Sequence, residues 1–347
     1  MANAIEVNGY YENLFVGGAK RDGGGLVGDL SRLRLRLDAK IADNVNLHLE
    51  PEYDFLIKSD NLPISSVSGL DQLTWDRAYL KLAFPLADIT VGQQRIAWGA
   101  GYLWNPTDVF NPFTLSFAVD EDEESEPQAV RVEVPMGEAG GLDTYVETNK
   151  AWLSAAKGIR FHSNLGLYDF SLSYVDRGAG AFQLGADTTG ELFGLGVRSE
   201  VALISPAAAN RYIQSVLGGN YTFENGWGLD MEYYFNGLGV KNKDNYDWTN
   251  LLAGNISQLG MDYFYFAAYK ALDEITNIRF SLLLNADDLS RIYYPTFSRN
   301  IFQNFDLSLE AMLTGGDTGS EFKPTLTQDT TGLMGSNLIL LRFRYSF

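Results

Sequence analysis

The chain has 347 residues, 44 Asp plus Glu against 26 Lys plus Arg for a net charge of −18, and no cysteine. That acid surplus disfavours nucleic acid as a partner, which wants a basic field, and the missing cysteine leaves neither a disulfide framework nor a thiolate site. No run of about 18 apolar residues occurs, the densest being Tyr263 to Tyr269, so a transmembrane helix is excluded and membrane residence would have to come from strands.

Met1-Ala2-Asn3 leads straight into strand pattern with no charged and then apolar leader. The expectation is a mature chain whose export signal has been removed, with Met1 supplied in its place. Ile5 to Val16 reads as the first strand and ends in the Gly-rich loop Gly17 to Gly25.

Leu30 to Phe55 is the most informative stretch. Arg32, Arg34, Arg36, Asp38 and Lys40 alternate with Leu33, Leu35, Leu37, Ala39 and Ile41. After Ala42-Asp43, Asn46, His48, Glu50, Glu52 and Asp54 alternate with Val45, Leu47, Leu49, Pro51, Tyr53 and Phe55. Period two means paired strands rather than helix. One face is a dense ladder of opposite charges and the other is apolar, which suits a sheet between lipid and a wet lumen. If Lys40 lies opposite Asn44, then Arg36 faces His48, Arg34 faces Glu50 and Arg32 faces Glu52, and such pairs would brace the wall.

A loop from Ser59 to Gly69 follows, then a strand from Trp75 to Phe84 with Arg77, Tyr79 and Lys81 on one face and Leu80, Leu82 and Phe84 on the other. Pro85 to Asp88 is a short turn and Ile89 to Ile96 the fifth strand. The longest connection, 97–127, contains Trp98, Trp104-Asn105-Pro106-Thr107-Asp108, Phe110-Asn111-Pro112-Phe113 and the acidic run Asp120, Glu121, Asp122, Glu123, Glu124, Ser125, Glu126. Asn105 before Pro106 and Asn111 before Pro112 each match an N-cap with Pro at the first helical position, so two short helical turns are expected there. A connection this long with its own apolar anchors is more often functional than slack. The acidic run reads as a solvated loop tip, a cation attractor at a pore mouth, or a divalent-ion bridge to anionic lipid headgroups.

Strand-like segments continue through 130–134, 142–148, 158–163, 167–175, 182–189, 194–204 and 212–223. Glu224-Asn225-Gly226 is a tight hairpin turn. Segments at 228–235, 261–271, 275–285, 292–299, 305–314 and 337–347 complete the series. About 18 segments result, or 16 if the weak ones at 128–165 and 177–204 merge. No linker or repeat interrupts them, so residues 1–347 read as one domain. Tyr10-Tyr11, Tyr233-Tyr234-Phe235, Tyr263 to Phe266 and Tyr293-Tyr294 suit interfacial girdles at strand ends; the alternative is the aromatic core of a soluble sandwich.

At the C-terminus Ile339, Leu341, Phe343, Tyr345 and Phe347 share one parity and Arg342, Arg344 and Ser346 the other. A final amphipathic strand ending in Phe resembles the closing strand of Gram-negative outer-membrane barrels. The resemblance implies that Phe343, Tyr345 and Phe347 form an assembly signal read by the barrel assembly machinery. The whole chain also resembles the general porins in architecture. In that family a third external loop, between the fifth and sixth strands, folds into the barrel and sets carboxylates opposite arginines on the wall. Gln93 to Gly99 and Trp104 to Pro112 instead resemble a pattern of poorly characterised outer-membrane barrels.

The fold expected is therefore all-β, a single transmembrane antiparallel β-barrel with the third external loop in the lumen, resident in the bacterial outer membrane. The resemblance implies a pore lined by Arg32, Arg34, Arg36, His48, Glu50, Glu52, Asp54, Arg77 and Lys81. It also implies a constriction carrying Trp98, Trp104, Asn105, Asp108, Asn111, Asp120, Glu121, Asp122, Glu123, Glu124 and Glu126. Facing rows of opposite charge would set a transverse field across the gap, beside the bracing role above. The expected activity is passive diffusion of small hydrophilic solutes or ions with cation preference. A plugged barrel that scaffolds a surface partner is the rival, and an outer-membrane enzyme using His162 and Ser163 is a third reading. Outer-membrane lipid and lipopolysaccharide, the assembly machinery and a further copy of the chain are the expected partners. No cofactor is expected, since no His/Cys ligand set suggests a metal.

Overall fold

The computed structural model of the protein describes residues 5–21, 23–60, 71–111, 113, 126–137, 139–329 and 334–347. Eighteen strands account for most of them. They are β1 (Ile5–Ala19), β2 (Gly25–Ala42), β3 (Val45–Asp60), β4 (Gln72–Ala83), β5 (Asp88–Gln93), β6 (Gln128–Met136), β7 (Gly140–Glu147), β8 (Lys157–Leu165) and β9 (Tyr168–Gly178). The series continues with β10 (Ala181–Leu192), β11 (Leu195–Ser205), β12 (Tyr212–Thr222), β13 (Gly228–Asn236), β14 (Asp262–Ala271), β15 (Thr276–Asn285), β16 (Arg291–Phe302), β17 (Phe305–Gly315) and β18 (Asn337–Ser346). A 3-10 turn (Lys243–Asn245) and a short α-helix, α1 (Trp248–Leu252), sit between β13 and β14. The segments expected to merge are separate strands, which settles the count at 18 rather than 16.

Neighbouring strands pair antiparallel, and β1 pairs with both β2 and β18, so the sheet is a closed 18-stranded barrel without a free edge. The β1/β18 seam runs from Tyr10 opposite Ser346 to Ala19 opposite Asn337. Phe347 extends it by exchanging backbone hydrogen bonds with Gly9, at 3.0 and 2.9 Å. The Asn225-Gly226 hairpin forms as expected: Gly226 has φ +82, a conformation that side chains resist, and Phe223 and Trp227 close the turn at 2.8 Å.

Burial runs opposite to that of a soluble protein. On β13, Asp230 and Glu232 are buried while Leu229 and Met231 are exposed. On β11, Arg198 and Glu200 are buried while Leu195 and Val201 are exposed. A polar inward face and an apolar outward face are what a barrel wall in lipid requires, because the hydrocarbon layer takes the place of a core.

Contacts divide the chain into two compact units. The first comprises Met1–Val7, Leu35–Pro51 and Trp75–Gly219. Its apolar centre is Ile96, Trp98, Ala129, Tyr145, Ala156 and Val175, with Val109 and Phe110 packed against it. The second comprises Asn8–Arg34, Glu52–Thr74 and Asn220–Phe347. It holds the β1/β18 seam and a buried polar cluster around Glu321.

Two local expectations need correction. The β2/β3 hydrogen-bonded charge pairs stand two residues further along β3 than the Lys40/Asn44 register implies: Arg36 meets Glu50, Arg34 meets Glu52 and Arg32 meets Asp54, although Arg32 also keeps the expected contact with Glu52 at 3.4 Å. Asp43 and Asn44, both good turn formers, carry the bend and leave Ala42 in β2. Second, the segment at Pro106 is not helical. Asp108 N–H donates to the Asn105 carbonyl at 2.9 Å, closing a β-turn with Pro106 at its second position, where the fixed φ of proline fits equally well. The turn expected at Pro112 lies outside the described residues.

Candidate functional site

The hairpin formed by β2 and β3 supplies the charged wall. Arg32 donates from Nε and Nη2 to Asp54, both at 2.8 Å. Arg34 donates to Glu52 at 2.7 Å, with both residues buried. Arg36 donates to Glu50 at 2.7 Å; its side chain is half exposed whereas that of Glu50 is buried. His48 lies 2.6 Å from Asp38 and 2.8 Å from Glu50, and its ring stacks on Tyr79 of β4 at 4.8 Å between centroids. Two charge-assisted bonds in parallel, as at Arg32, fix orientation as well as adding energy. The three arginines are therefore partnered within their own hairpin, which is the bracing arrangement.

β4 adds two more cations. Lys81 pairs with Asp88 across the β4/β5 turn at 2.8 Å, and Arg77 donates to Glu126 at 3.2 Å. Glu126 is the last residue of the acidic run and the one that is described; Asp120, Glu121, Asp122, Glu123 and Glu124 lie outside the described residues. Burial pushes the Glu126 carboxyl up to about 7, against the opposing pull of Arg77.

The described part of the long connection is stitched to strand side chains of the buried, polar parity. Trp98 Nε1 donates to Asp143 of β7 at 2.9 Å, and Asp143 also receives Arg131 of β6 at 2.9 and 2.7 Å. Glu200 of β11 accepts three backbone N–H groups of the connection, from Ala100 at 2.7 Å, Gly101 at 3.2 Å and Thr107 at 2.5 Å. Gln183 of β10 donates to the Pro106 carbonyl at 2.9 Å. Gly99 lets the chain approach so closely: at φ +123, a Cβ there would sit 2.7 Å from both Glu200 Oε2 and Asn105 Oδ1.

Apolar burial fixes the same segment. Trp98 and Trp104 are both buried, each such side chain contributing on the order of 2 kcal/mol. Trp98 packs on Tyr145 at 5.1 Å and Trp104 on Phe113 at 5.8 Å. Asp108 accepts the backbone N–H groups of Phe110 at 3.0 Å and Asn111 at 3.1 Å, and the Asn111 side chain at 2.9 Å. The acid two residues after Pro106, rather than Asn105, thus caps the backbone here.

In the second unit the connection between β17 and β18 carries Glu321. It accepts Tyr263 Oη and Asn285 Nδ2, both at 2.6 Å, and Leu259 N–H at 2.9 Å. Its own N–H donates to Asp288 at 2.7 Å. Complete burial pushes the Glu321 carboxyl up to about 7, opposed by those three hydrogen bonds and assisted by Asp288. At the seam, Arg342 and Arg344 both reach Glu12 of β1 at 2.7 Å. On the opposite parity Phe343 meets Phe15 edge-on at 6.2 Å, and Tyr345 lies 6.2 Å from Phe347.

Glu200, Asp143 and Glu321 were not among the residues singled out from the sequence. Each stands on an alternating strand or in a polar loop like its neighbours, and its partner lies far along the chain: Glu200 is 93 residues from Thr107 and Glu321 is 58 from Tyr263. The one signal at Glu200 and Asp143 is a carboxylate on the buried, polar parity of a strand, which many wall residues share, and Glu321 in its connection has none.

No protein-family profile matches the chain, and no curated protein matches it in sequence. Solved structures do match in fold. A triple mutant of the Rhodopseudomonas blastica porin aligns with TM-score 0.54 at 12% identity, over 99% of this chain and 100% of that one. OccK11 (OpdR) of Pseudomonas aeruginosa aligns with TM-score 0.63 at 10% identity, over 99% and 96%. A double variant of OccD1 (OprD) aligns with TM-score 0.64 at 10% identity, over 99% and 95%.

Proposed function

Taking as premise that the chain has the fold of the outer-membrane porins, we propose that it is an outer-membrane channel through which small hydrophilic solutes or ions diffuse passively. The observation that carries this reading is the inverted wall, with charged side chains such as Arg34, Glu52, Asp230 and Glu232 buried on one parity and apolar ones exposed on the other. In this reading residues 1–347 act as one barrel domain. The connection 97–127 folds into the lumen as the constriction, because its described part is bonded to Glu200, Asp143 and Gln183 on that polar parity. The surplus of carboxylates supports a preference for cations.

The test is a planar-bilayer recording of the purified chain in a salt gradient. Steady single-channel steps with a cation-selective reversal potential are expected. An anion-selective sign would remove the cation preference and leave the channel. Absence of any steady current would favour the second reading, a plugged barrel that anchors a surface partner. The density of bonds holding the connection to Glu200 and Asp143 is the observation on that side.

A further inference from the structure

A cavity of about 500 Å³ opens in the first compact unit, among the β4/β5 and β6/β7 turns, the adjoining ends of β8 to β10, and Gly99 and Ala100 of the connection. Its size falls within the range of small-molecule sites, roughly 300–1,000 Å³. Three permanent cations and five carboxylates line it.

The cations are already committed. Arg131 is held by Asp143 through two bonds of 2.9 and 2.7 Å, and Arg160 lies 3.3 Å from Asp187, which also accepts Ser171 Oγ. Lys81 lies 2.8 Å from Asp88. Asp143 and Asp187, the acids that neutralise the two arginines, are buried. Glu133 and Asp169 are left over. Glu133 is partly exposed; it lies 3.0 Å from Arg131, whose charge Asp143 already shares, and in the field of Lys81, which Asp88 holds at 2.8 Å. Asp169 is exposed and accepts from the neutral Asn164 side chain at 2.9 Å. Lys81 and Asp88, both accessible, offset each other as the buried acids offset the arginines, and the two further carboxylates give the cavity a net negative field.

The rest of the lining says what kind of cation fits. Phe84, Pro135 and Phe170 supply apolar wall, and among the described residues no three His, Cys, Asp or Glu side chains converge as a metal site would need. A dispersed negative field beside ring and proline faces suits an ammonium group on a short hydrocarbon stem, with the stem on the apolar wall.

The geometry points to a binding subsite for small organic ammonium solutes at this cavity, with Glu133 and Asp169 as its charge-reading residues. The inference rests on the channel reading, which gives such solutes access to the wall.

The test is calorimetric titration of the detergent-solubilised full chain with butane-1,4-diamine, with succinate as the anionic control. Diamine binding without succinate binding is expected. Glu133→Gln and Asp169→Asn should each weaken the diamine by about two- to fivefold, the span of a partly exposed ion pair, and Asp43→Asn in the β2/β3 turn should leave it unchanged. Each variant is first checked for barrel formation by its heat-modifiable migration in gels, so that loss of fold is not read as loss of binding. No diamine binding, equal binding of succinate, or unchanged affinity in both folded variants would overturn the subsite. Bilayer recordings of the same preparation separate the two ideas: conductance without diamine binding sinks the subsite alone, and diamine binding without conductance sinks the channel alone.

Discussion

Thr107 N–H donates to Glu200 Oε1 at 2.5 Å across 93 residues of sequence, and the same carboxylate collects the N–H groups of Ala100 and Gly101. One buried side chain thus closes the backbone of the connection onto β11. Glu200→Ala leaves those donors without their acceptor, at a cost of about 1–3 kcal/mol for each one left buried. The barrel hydrogen bonds are untouched. Limited proteolysis should therefore cut within 97–127 several-fold faster in the variant while the strands stay protected. Equal cleavage rates would remove Glu200 as the anchor.

The Arg34 and Glu52 pair offers a test of bracing. Both are buried, so Arg34→Met leaves the Glu52 carboxylate to its longer 3.4 Å contact with Arg32 and should cost about 1–3 kcal/mol. Adding Glu52→Met should recover most of that loss, because a well-packed apolar pair can replace a buried ion pair. Urea unfolding of the chain in lipid vesicles measures both. A double variant as unstable as the single one would mean that the pair contributes more than local neutralisation.

The Glu321 cluster makes stability depend on pH. Its folded value of about 7 lies above the ordinary 4.5, so the folded state binds the extra proton and is favoured at low pH. The contribution is full below about pH 4.5, declines as pH rises to about 7, and is absent above that. Hydrogen exchange at the Leu259 amide, which bonds to Glu321, should accelerate between pH 5 and 8 beyond the intrinsic pH effect. Glu321→Gln should flatten that excess.

At the seam, Gly9 exchanges backbone bonds with Phe347, and a Cβ at residue 9 would stand 2.6 Å from the Arg34 carbonyl. Gly9→Val should reduce the yield of assembled barrel sharply. Phe347→Ala should reduce it too if the terminal aromatic acts as an assembly signal. Heat-modifiable gel migration after folding into vesicles reads folding alone, and outer-membrane yield in cells reads folding and recognition together.

The strands were legible because lipid on one side and charge on the other force a strict period of two, as in Arg32 to Ile41 and Ile339 to Phe347. The hairpin register was less so. Asp43-Asn44 and Ala42-Asp43 are both short polar bends, and a shift of two residues keeps every side chain on its own face. The turn at Pro106 misled because an Asn-Pro step opens a β-turn as readily as a helix. The anchoring role of Glu200 was invisible, since it depends on a contact 93 residues away rather than on any local pattern.

The pairing of β1 with β18 sets an order of events. Glu12 and Arg342 are 330 residues apart, and closing a loop that long costs about 3 kcal/mol more in chain entropy than closing one of about ten residues. Pairings such as β10 with β11, β13 with β14 and β17 with β18 join sequence neighbours and can form early. β1 can therefore pair early with β2 but meets β18 late, and until it does, its other backbone edge stands open to any other strand.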